Sequence, residues 1–222
     1  MLRVKTMGLF LAAPMLLWAC CFDGDTRVEA FTVDKTVSEL HVDVGSGDID
    51  VSGSDGTETV VTAAITGTHT DLDRDLGDGR LRLTEDCNGW DRCGVDVAIG
   101  VPAGAVLKLY TGSGDVSFNR IAGAVTVETG SGDVSASGLT SRRVQIETGS
   151  GDVRARFEEP PDELVVDTGS GDVRLWVPED SYSVRLDTGS GDRDVDGIRV
   201  DSGASHSIRV DTGSGDVRIS GS

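Results

Sequence analysis

The tetrapeptide Gly-Ser-Gly-Asp, which recurs seven times, constrains the fold of this 222-residue chain more than any other feature. The copies begin at Gly45, Gly112, Gly130, Gly149, Gly169, Gly189 and Gly213. From the second copy to the last, successive copies are 18, 19, 20, 20 and 24 residues apart. A near-constant spacing of this kind is typical of stacked repeats, in which each unit buries its apolar face against its neighbours.

Apolar residues alternate with polar residues on both sides of the motif. Before the second copy, Leu107 and Leu109 flank Lys108, and after it Val116 and Phe118 continue the alternation. Most other copies show the same pattern, and a period of two indicates β-strands with one buried face. Each repeat therefore holds two strands bent at Gly-Ser-Gly, followed by a return segment rich in Gly, Pro, Ser and acidic residues.

The predicted fold is all-β: a single-stranded right-handed parallel β-helix, or β-solenoid, with about 20 residues per coil. Strands that recur at one place in each coil pair in parallel about 4.8 Å apart, so roughly ten coils would form a rod of about 45 to 50 Å. We favour the right-handed form because the six-residue apolar period of left-handed hexapeptide helices is absent. A β-sandwich is the alternative architecture, but it gives no reason for one corner sequence to recur at one period.

The residues of the motif have a structural explanation. Glycine reaches positive φ without a steric penalty, and a Ser or Asp oxygen can accept a hydrogen bond from a neighbouring backbone N–H in an Asx-type turn. The motif aspartates should form a ladder, in which unit charges repel by about 1 kcal/mol in water. Structural calcium between coils is an alternative, although the nine-residue period of calcium rolls is absent, and we predict no other cofactor. The candidate calcium ligands are Asp115, Asp133, Asp152 and Asp172.

The first nineteen residues have the composition of an export signal. Arg3 and Lys5 precede the apolar run Met7–Trp18, whose roughly 12 residues are fewer than the about 20 that a membrane-spanning helix needs. Leu17-Trp18-Ala19-Cys20 resembles the bacterial lipobox, which implies lipidation of Cys20. We therefore predict a bacterial cell-envelope protein held on a membrane by its lipid anchor, and the alternative is a secreted protein cleaved at the same position.

The remaining chain divides into a tether and one repeat domain. We predict a signal peptide (1–19), an N-terminal tether (20–35) and a β-solenoid domain (36–222), with less regular N-terminal coils and a hairpin (36–105) before the regular coils (106–222). Between the first and second motif copies, Val60–Ile65, Leu81–Thr84 and Val95–Val101 are predicted strands that lack the corner sequence. The hairpin is expected between the last two of these strands.

Two of the four cysteines lie close together in that hairpin. Cys87 and Cys93 enclose five residues, and an exported protein meets oxidising conditions, so we predict a local disulfide. A metal-binding pair and two free thiols are the alternatives. Cys21, beside the predicted lipidation site, has no assigned role.

The formal net charge of −18 limits the possible partners. Nucleic acid and anionic lipid are disfavoured because binding to either depends on Lys and Arg neutralising phosphates. We predict a monomer with an unidentified protein or glycan partner. Outward-facing residues should form an acidic column of Glu128, Glu147, Asp167, Asp187 and Asp211 beside a partly basic column of Arg154, Arg174 and Arg218.

The run from Val101 to Val116, which ends in Thr-Gly-Ser-Gly-Asp-Val, resembles the bacterial putative-adhesin family of unknown function. The resemblance covers roughly residues 36–222 and implies a right-handed β-helix with repeated Thr-Gly-Ser-Gly-Asp-Val turns. It implies little about activity, because similar solenoids have many roles. Two positions depart from the pattern: Val44 replaces the threonine, and Arg193 stands where valine is expected. The coil that contains Arg193 should be irregular.

Catalytic and metal-binding patterns are weak in this sequence. Asp-Thr-Gly-Ser at Asp167, Asp187 and Asp211 is the local string of aspartic proteases, but those enzymes need two such aspartates sharing a proton across an interface. Asp71–Asp75 resembles the start of an EF-hand loop, yet Leu76 occupies its glycine position, so we expect a solvated acidic loop. The three histidines are not spaced as a ligand pair.

We therefore predict a non-enzymatic, exported lipoprotein that acts as an adhesin-like or envelope interaction scaffold. One alternative is a polysaccharide-acting enzyme on a β-helix, with converging carboxylates between Arg193 and Ser207. The other is a calcium-stabilised binding module.

Overall fold

The computed structural model describes residues 26–88 and 93–222, and all regular structure in these residues is β-strand. The predicted signal peptide and Cys20 lie outside the described residues. Within the described part, no helix has the length and hydropathy to cross a membrane. The strands are β1 (Thr26–Val33), β2 (Glu39–Ser46), β3 (Ile49–Ser54), β4 (Thr59–Thr66), β5 (Thr70–Gly77), β6 (Arg80–Cys87), β7 (Gly94–Pro102), β8 (Val106–Ser113), β9 (Val116–Asn119), β10 (Val125–Ser131), β11 (Val134–Leu139), β12 (Arg143–Ser150), β13 (Val153–Phe157), β14 (Glu163–Thr168), β15 (Val173–Val177), β16 (Ser181–Thr188), β17 (Arg193–Asp196), β18 (Arg199–Val200), β19 (His206–Thr212) and β20 (Val217–Gly221).

The strands form two ten-stranded sheets that meet at the Gly-Ser-Gly-Asp corners. We call the sheet whose strands precede the corners the leading sheet; its order is β18-β16-β19-β14-β12-β10-β8-β2-β6-β5. The trailing sheet follows the corners in the order β1-β4-β7-β3-β9-β11-β13-β15-β20-β17. Coil-to-coil pairs are parallel and in register, as in Leu107 with Val125 and Val125 with Val144. The all-β, repeat-built prediction is confirmed, and the handedness stays a prediction.

One apolar core runs between the sheets. Alternate residues of each strand point inward, so the corresponding side chains of successive coils, such as Leu109, Val127 and Ile146, stack with no solvent exposure. Tyr182 is also fully buried and donates a hydrogen bond from its hydroxyl to the Pro178 carbonyl at 2.9 Å. Burial raises the pKa of Tyr182 to about 12, because the charged phenolate is poorly solvated there.

The coils do not stack in the order of the sequence. The coil β2–β3 lies beside β8–β9, although the intervening residues 55–105 contain four other strands. Of these strands, β6 and β7 flank β2–β3 on its other side. At the opposite end, β19–β20 is inserted between β14–β15 and β16–β17. The irregular coil that contains Arg193 is therefore the terminal coil in space.

Three details of the N-terminal region correct the sequence-based interpretation. Residues 26–33 of the predicted tether form β1, which pairs antiparallel with β4. The predicted hairpin between Leu81–Thr84 and Val95–Val101 is wrong, because these residues lie in opposite sheets. The hairpin joins β5 to β6 instead, and β5 includes the residues expected to form an acidic loop.

The turn of this hairpin explains its position. Asp78 and Gly79 have φ values of 51° and 77°, and two positive φ values are what a two-residue type I′ turn requires. Beyond the hairpin, Cys87 and Cys93 are joined by a disulfide with a Cα–Cα distance of 6.1 Å. The disulfide closes the connection between β6 in the leading sheet and β7 in the trailing sheet.

Candidate functional site

Each corner passes so close to the next that only glycine fits at both glycine positions. A Cβ on Gly130 would lie 2.5 Å from the carbonyl oxygen of Gly112, and one on Gly132 would lie 2.0 Å from that of Gly114. Any side chain would therefore push neighbouring coils apart. The glycines are required by contact between coils as well as by the turn.

The motif aspartates form a ladder of hydrogen bonds from coil to coil. The Oδ1 atom of Asp115 accepts the backbone N–H of Asp133 at 2.8 Å, and Asp133 accepts that of Asp152 at 2.8 Å. The accepting aspartates are Asp48, Asp115, Asp133, Asp152, Asp172 and Asp216. This pattern corrects the prediction of a local Asx-type turn, because the amide that each aspartate caps belongs to the neighbouring coil.

The threonine before each motif makes a second contact between coils. The hydroxyl of Thr129 donates to the Gly114 carbonyl at 3.3 Å, and that of Thr148 donates to the Gly132 carbonyl at 3.2 Å. These threonines point into the core and are 5% and 2% exposed. A buried hydroxyl needs such a partner, because an unpaired one would cost about 1–3 kcal/mol.

The outer oxygens of three of the four predicted calcium ligands, Asp133, Asp152 and Asp172, have arginine partners. Arg154 contacts Oδ2 of Asp152 at 2.6 Å and Oδ2 of Asp133 at 3.4 Å, while Arg174 contacts Oδ2 of Asp172 at 2.8 Å. In the described part of the chain, no group of three or more His, Cys, Asp or Glu side chains could hold a metal ion. The arginines thus occupy three of the four carboxylates that a divalent cation would have to bind.

A shallow groove of about 900 Å³ runs across the coils on the outer side of the corners. Its floor is formed by threonine and glycine backbone, and one wall is formed by the residue before each threonine. The strand register places these wall residues in the order Asp43, Tyr110, Glu128, Glu147, Asp167, Asp211 and Asp187, and the acidic column is the part of the wall that begins at Glu128. The insertion of β19 therefore puts Asp211 before Asp187.

The middle of the acidic column makes no ion pairs in the described part of the chain. Within the described residues, no Lys, Arg or His makes an ion pair with Glu128, Glu147 or Asp167, whereas Asp211 pairs with Arg209 at 2.6 Å. Burial raises the pKa of Asp167, the neighbouring charges of Asp211 and Glu147 raise it further, and the charge of Arg209 opposes this rise in part. The groove therefore concentrates negative charge at its centre.

The basic column lies on the trailing sheet, where Arg154, Arg174 and Arg218 occupy equivalent positions. Arg154 and Arg174 are engaged with the aspartate ladder, and Arg218 pairs with Asp194 at 3.1 Å. These ion pairs occupy all three arginines of the basic column.

The structure does not bring catalytic residues together at the proposed alternative sites. Asp167, Asp211 and Asp187 are side by side on the outer face of one sheet, which is not the two-lobed arrangement of an aspartic protease. In the terminal coil, Asp194 binds Arg218 and Asp201 accepts the backbone N–H of Gly203 at 2.9 Å. Two of the three carboxylates between Arg193 and Ser207 therefore have structural partners, and the third, Asp196, is exposed.

Comparison with known proteins identifies related sequences and folds. The family model described as Toastrack DUF4097 matches residues 31–220. A putative cell adhesion protein from Clostridium sporogenes has 13% sequence identity and a TM-score of 0.55, and the alignment covers 89% of this chain and 100% of that one. A putative adhesin from Bacteroides fragilis has 15% identity and a TM-score of 0.44, with 86% and 97% covered. No curated protein matches the chain.

Proposed function

The chain belongs to the Toastrack DUF4097 family, and from that premise we propose that it is a non-enzymatic scaffold of the bacterial cell envelope whose acidic groove binds an extended basic segment of another protein. The solved structure from Clostridium sporogenes is described as a putative cell adhesion protein. That description supports a binding role, and the carboxylates of the groove indicate the charge of the ligand.

The observation that carries this proposal is the row of carboxylates at the centre of the groove, which make no ion pairs among the described residues. Glu128, Glu147 and Asp167 occupy successive coils about 4.8 Å apart. A row of like charges beside a floor without side chains favours a long ligand with flexible cationic groups. Such a charge pattern accelerates and orients association with an oppositely charged partner.

Export and anchoring complete the proposal. Cys20 would carry the lipid, and the six Cα steps from Cys20 to Thr26 can span about 20 Å when extended. The predicted tether is shortened by β1, so the β1 end of the solenoid would stay near the membrane. The terminal coil with Arg193 would then point away from it.

Binding of an eight-residue oligolysine peptide by the full chain tests the groove. Exposed ion pairs are worth about 0.2–1 kcal/mol each, so Glu147→Gln with Asp167→Asn should weaken binding by about 2- to 30-fold at low salt. The matched control, Glu158→Gln with Glu179→Gln, removes the same charge from exposed positions outside the groove and should leave Kd nearly unchanged.

Isothermal titration calorimetry at two salt concentrations measures these affinities. Equal weakening by the groove pair and the control pair would show that net charge, rather than the groove, attracts the peptide. A glycan-hydrolysing activity that is lost on substitution of a groove or terminal-coil aspartate would contradict the non-enzymatic part of the proposal.

A further inference from the structure

The C-terminal coil, β19–β20, occupies a slot between two earlier coils. On the leading sheet β19 pairs with both β14 and β16, and on the trailing sheet β20 pairs with both β15 and β17. Its inward residues Ile208, Val210, Val217 and Ile219 are at most 1% exposed. This coil therefore packs against the core of both neighbouring coils, although it is the last coil in the sequence.

The slot recognises the corner sequence through contacts that recur in other coils. Asp216 donates its backbone N–H to Asp172, and the hydroxyl of Thr212 donates to the Gly171 carbonyl. On the other side, Asp192 donates its backbone N–H to Asp216. None of these contacts requires that the inserted coil come from the same molecule.

The linker before the C-terminal coil is short and crosses a strand. Val200 and His206 are both in register with Tyr182, on opposite sides of β16. The linker, residues 201–205, thus bridges two strand spacings, about 9.6 Å. Six extended Cα steps reach about 20 Å, enough to enter the slot of a second copy whose terminal coil faces the first.

The terminal coil also offers an apolar surface for such an encounter. Leu186, Val195 and Ile198 pack against the core but are only partly buried, and Val200 is 57% exposed. Facing terminal coils would cover these residues, and removal of apolar area from water stabilises association. Exchange of an identical element needs few other new contacts.

We propose that the C-terminal coil, His206–Gly221, is exchangeable between copies, so that the slot between β14–β15 and β16–β17 of one molecule accepts this coil from a second. The closed molecule predominates when the protein is dilute, and exchanged copies accumulate when it is crowded on a membrane. This inference does not depend on the ligand of the groove.

Mixed single-cysteine variants of the full chain test the exchange, with Cys20 and Cys21 replaced by serine in all of them. One variant carries Asp167→Cys and the other Asp211→Cys, because these two positions lie opposite each other on β14 and β19. The two are incubated together at high concentration a few degrees below Tm and then oxidised. Exchange predicts a mixed disulfide dimer on a non-reducing gel that increases with protein concentration.

The matched control mixes Asp167→Cys with Glu147→Cys, which lie opposite each other on β14 and β12, outside the exchanging coil. The test mixture should give several-fold more mixed dimer than this control. Equal amounts in the two mixtures would overturn the proposal. Glu163→Cys with Ser207→Cys, another opposed pair on β14 and β19, provides a second test mixture if an aspartate variant misfolds.

Discussion

We predict that Arg193 sets the order in which the last coils stack. The equivalent residue in other coils is valine or, in the first copy, Ile49, and Ile49, Val116, Val134, Val153, Val173 and Val217 are at most 1% exposed. Arg193 lies at the end of this column, next to Val217, and its side chain is 47% exposed. Stacking in sequence order would place its guanidinium between Val173 and Val217 in the core.

The size of this effect follows from the cost of burying a charge. An unpaired buried ion costs several kcal/mol even after relaxation. With a cost of about 4 kcal/mol, the inserted order is favoured by roughly 10³-fold over the sequential order. Arg193→Val removes the cost and gives both orders a continuous valine column, so the sequential order should become measurably populated.

Disulfide trapping distinguishes the two orders within one molecule, again with Cys20 and Cys21 replaced by serine. Asp167→Cys with Asp211→Cys reports the inserted order, whereas Asp167→Cys with Asp187→Cys reports the sequential order. In the native arrangement the second pair is two strands apart, about 9.6 Å, beyond the Cα separation of about 7 Å that a disulfide tolerates.

The Asp167–Asp187 pair should therefore form an intramolecular disulfide only in the Arg193→Val background, measured by mass spectrometry of digested monomer. Arg193→Lys is the control and should keep the inserted order. If Arg193→Val yields no more of this disulfide than the parent chain, the charge of Arg193 does not set the order.

Three further predictions concern the ladder and the groove. Asp152→Ala leaves an amide without its acceptor and should lower the free energy of unfolding by about 1–3 kcal/mol in urea titrations. Asp152→Asn keeps an oxygen and should lower the free energy of unfolding less. Equal losses in the two variants would contradict the acceptor role. Calcium and chelator should leave Tm unchanged in calorimetry, because Arg154 and Arg174 contact the outer oxygens of Asp152 and Asp172. A calcium-dependent rise in Tm would contradict this assignment. Because the folded-state pKa of Asp167 is raised, its ionisation opposes folding as pH rises through that pKa, so Asp167→Asn should raise Tm at pH 7. The gain should vanish below the ordinary aspartate pKa of about 3.9, and a gain independent of pH would contradict the electrostatic explanation.

The repeat pattern predicts the strands and the core, but it does not predict the coil order. Asp-Thr-Gly-Ser-Gly-Asp is identical at Asp167, Asp187 and Asp211, so local pairing does not distinguish which of these coils are neighbours. On our prediction, Arg193 is the residue in the sequence that indicates the coil order. A charged residue at a buried valine position is expected at the end of the valine column.

Two other features differ in how far the sequence reveals them. The β5–β6 hairpin had a recognisable signal in Asp78-Gly79, the dipeptide that two-residue turns favour. The sequence held no signal for the hydrogen-bond partner of each ladder aspartate. A spacing of about 20 residues is compatible with an aspartate that caps its own turn and with one that caps an amide of the next coil. The acidic column follows directly from strand alternation, except for the place of Asp211.

The repeated glycine contact has a consequence for how such proteins vary in length. A Cβ added to Gly112, Gly130 or Gly149 would in each case lie 2.5 Å from the carbonyl oxygen of the preceding corner, so successive corners present the same surface to one another. Loss or duplication of one interior coil would bring together two corners that already fit. The rod could therefore lengthen or shorten over evolution in whole steps of about 4.8 Å, while its two end coils stay the same.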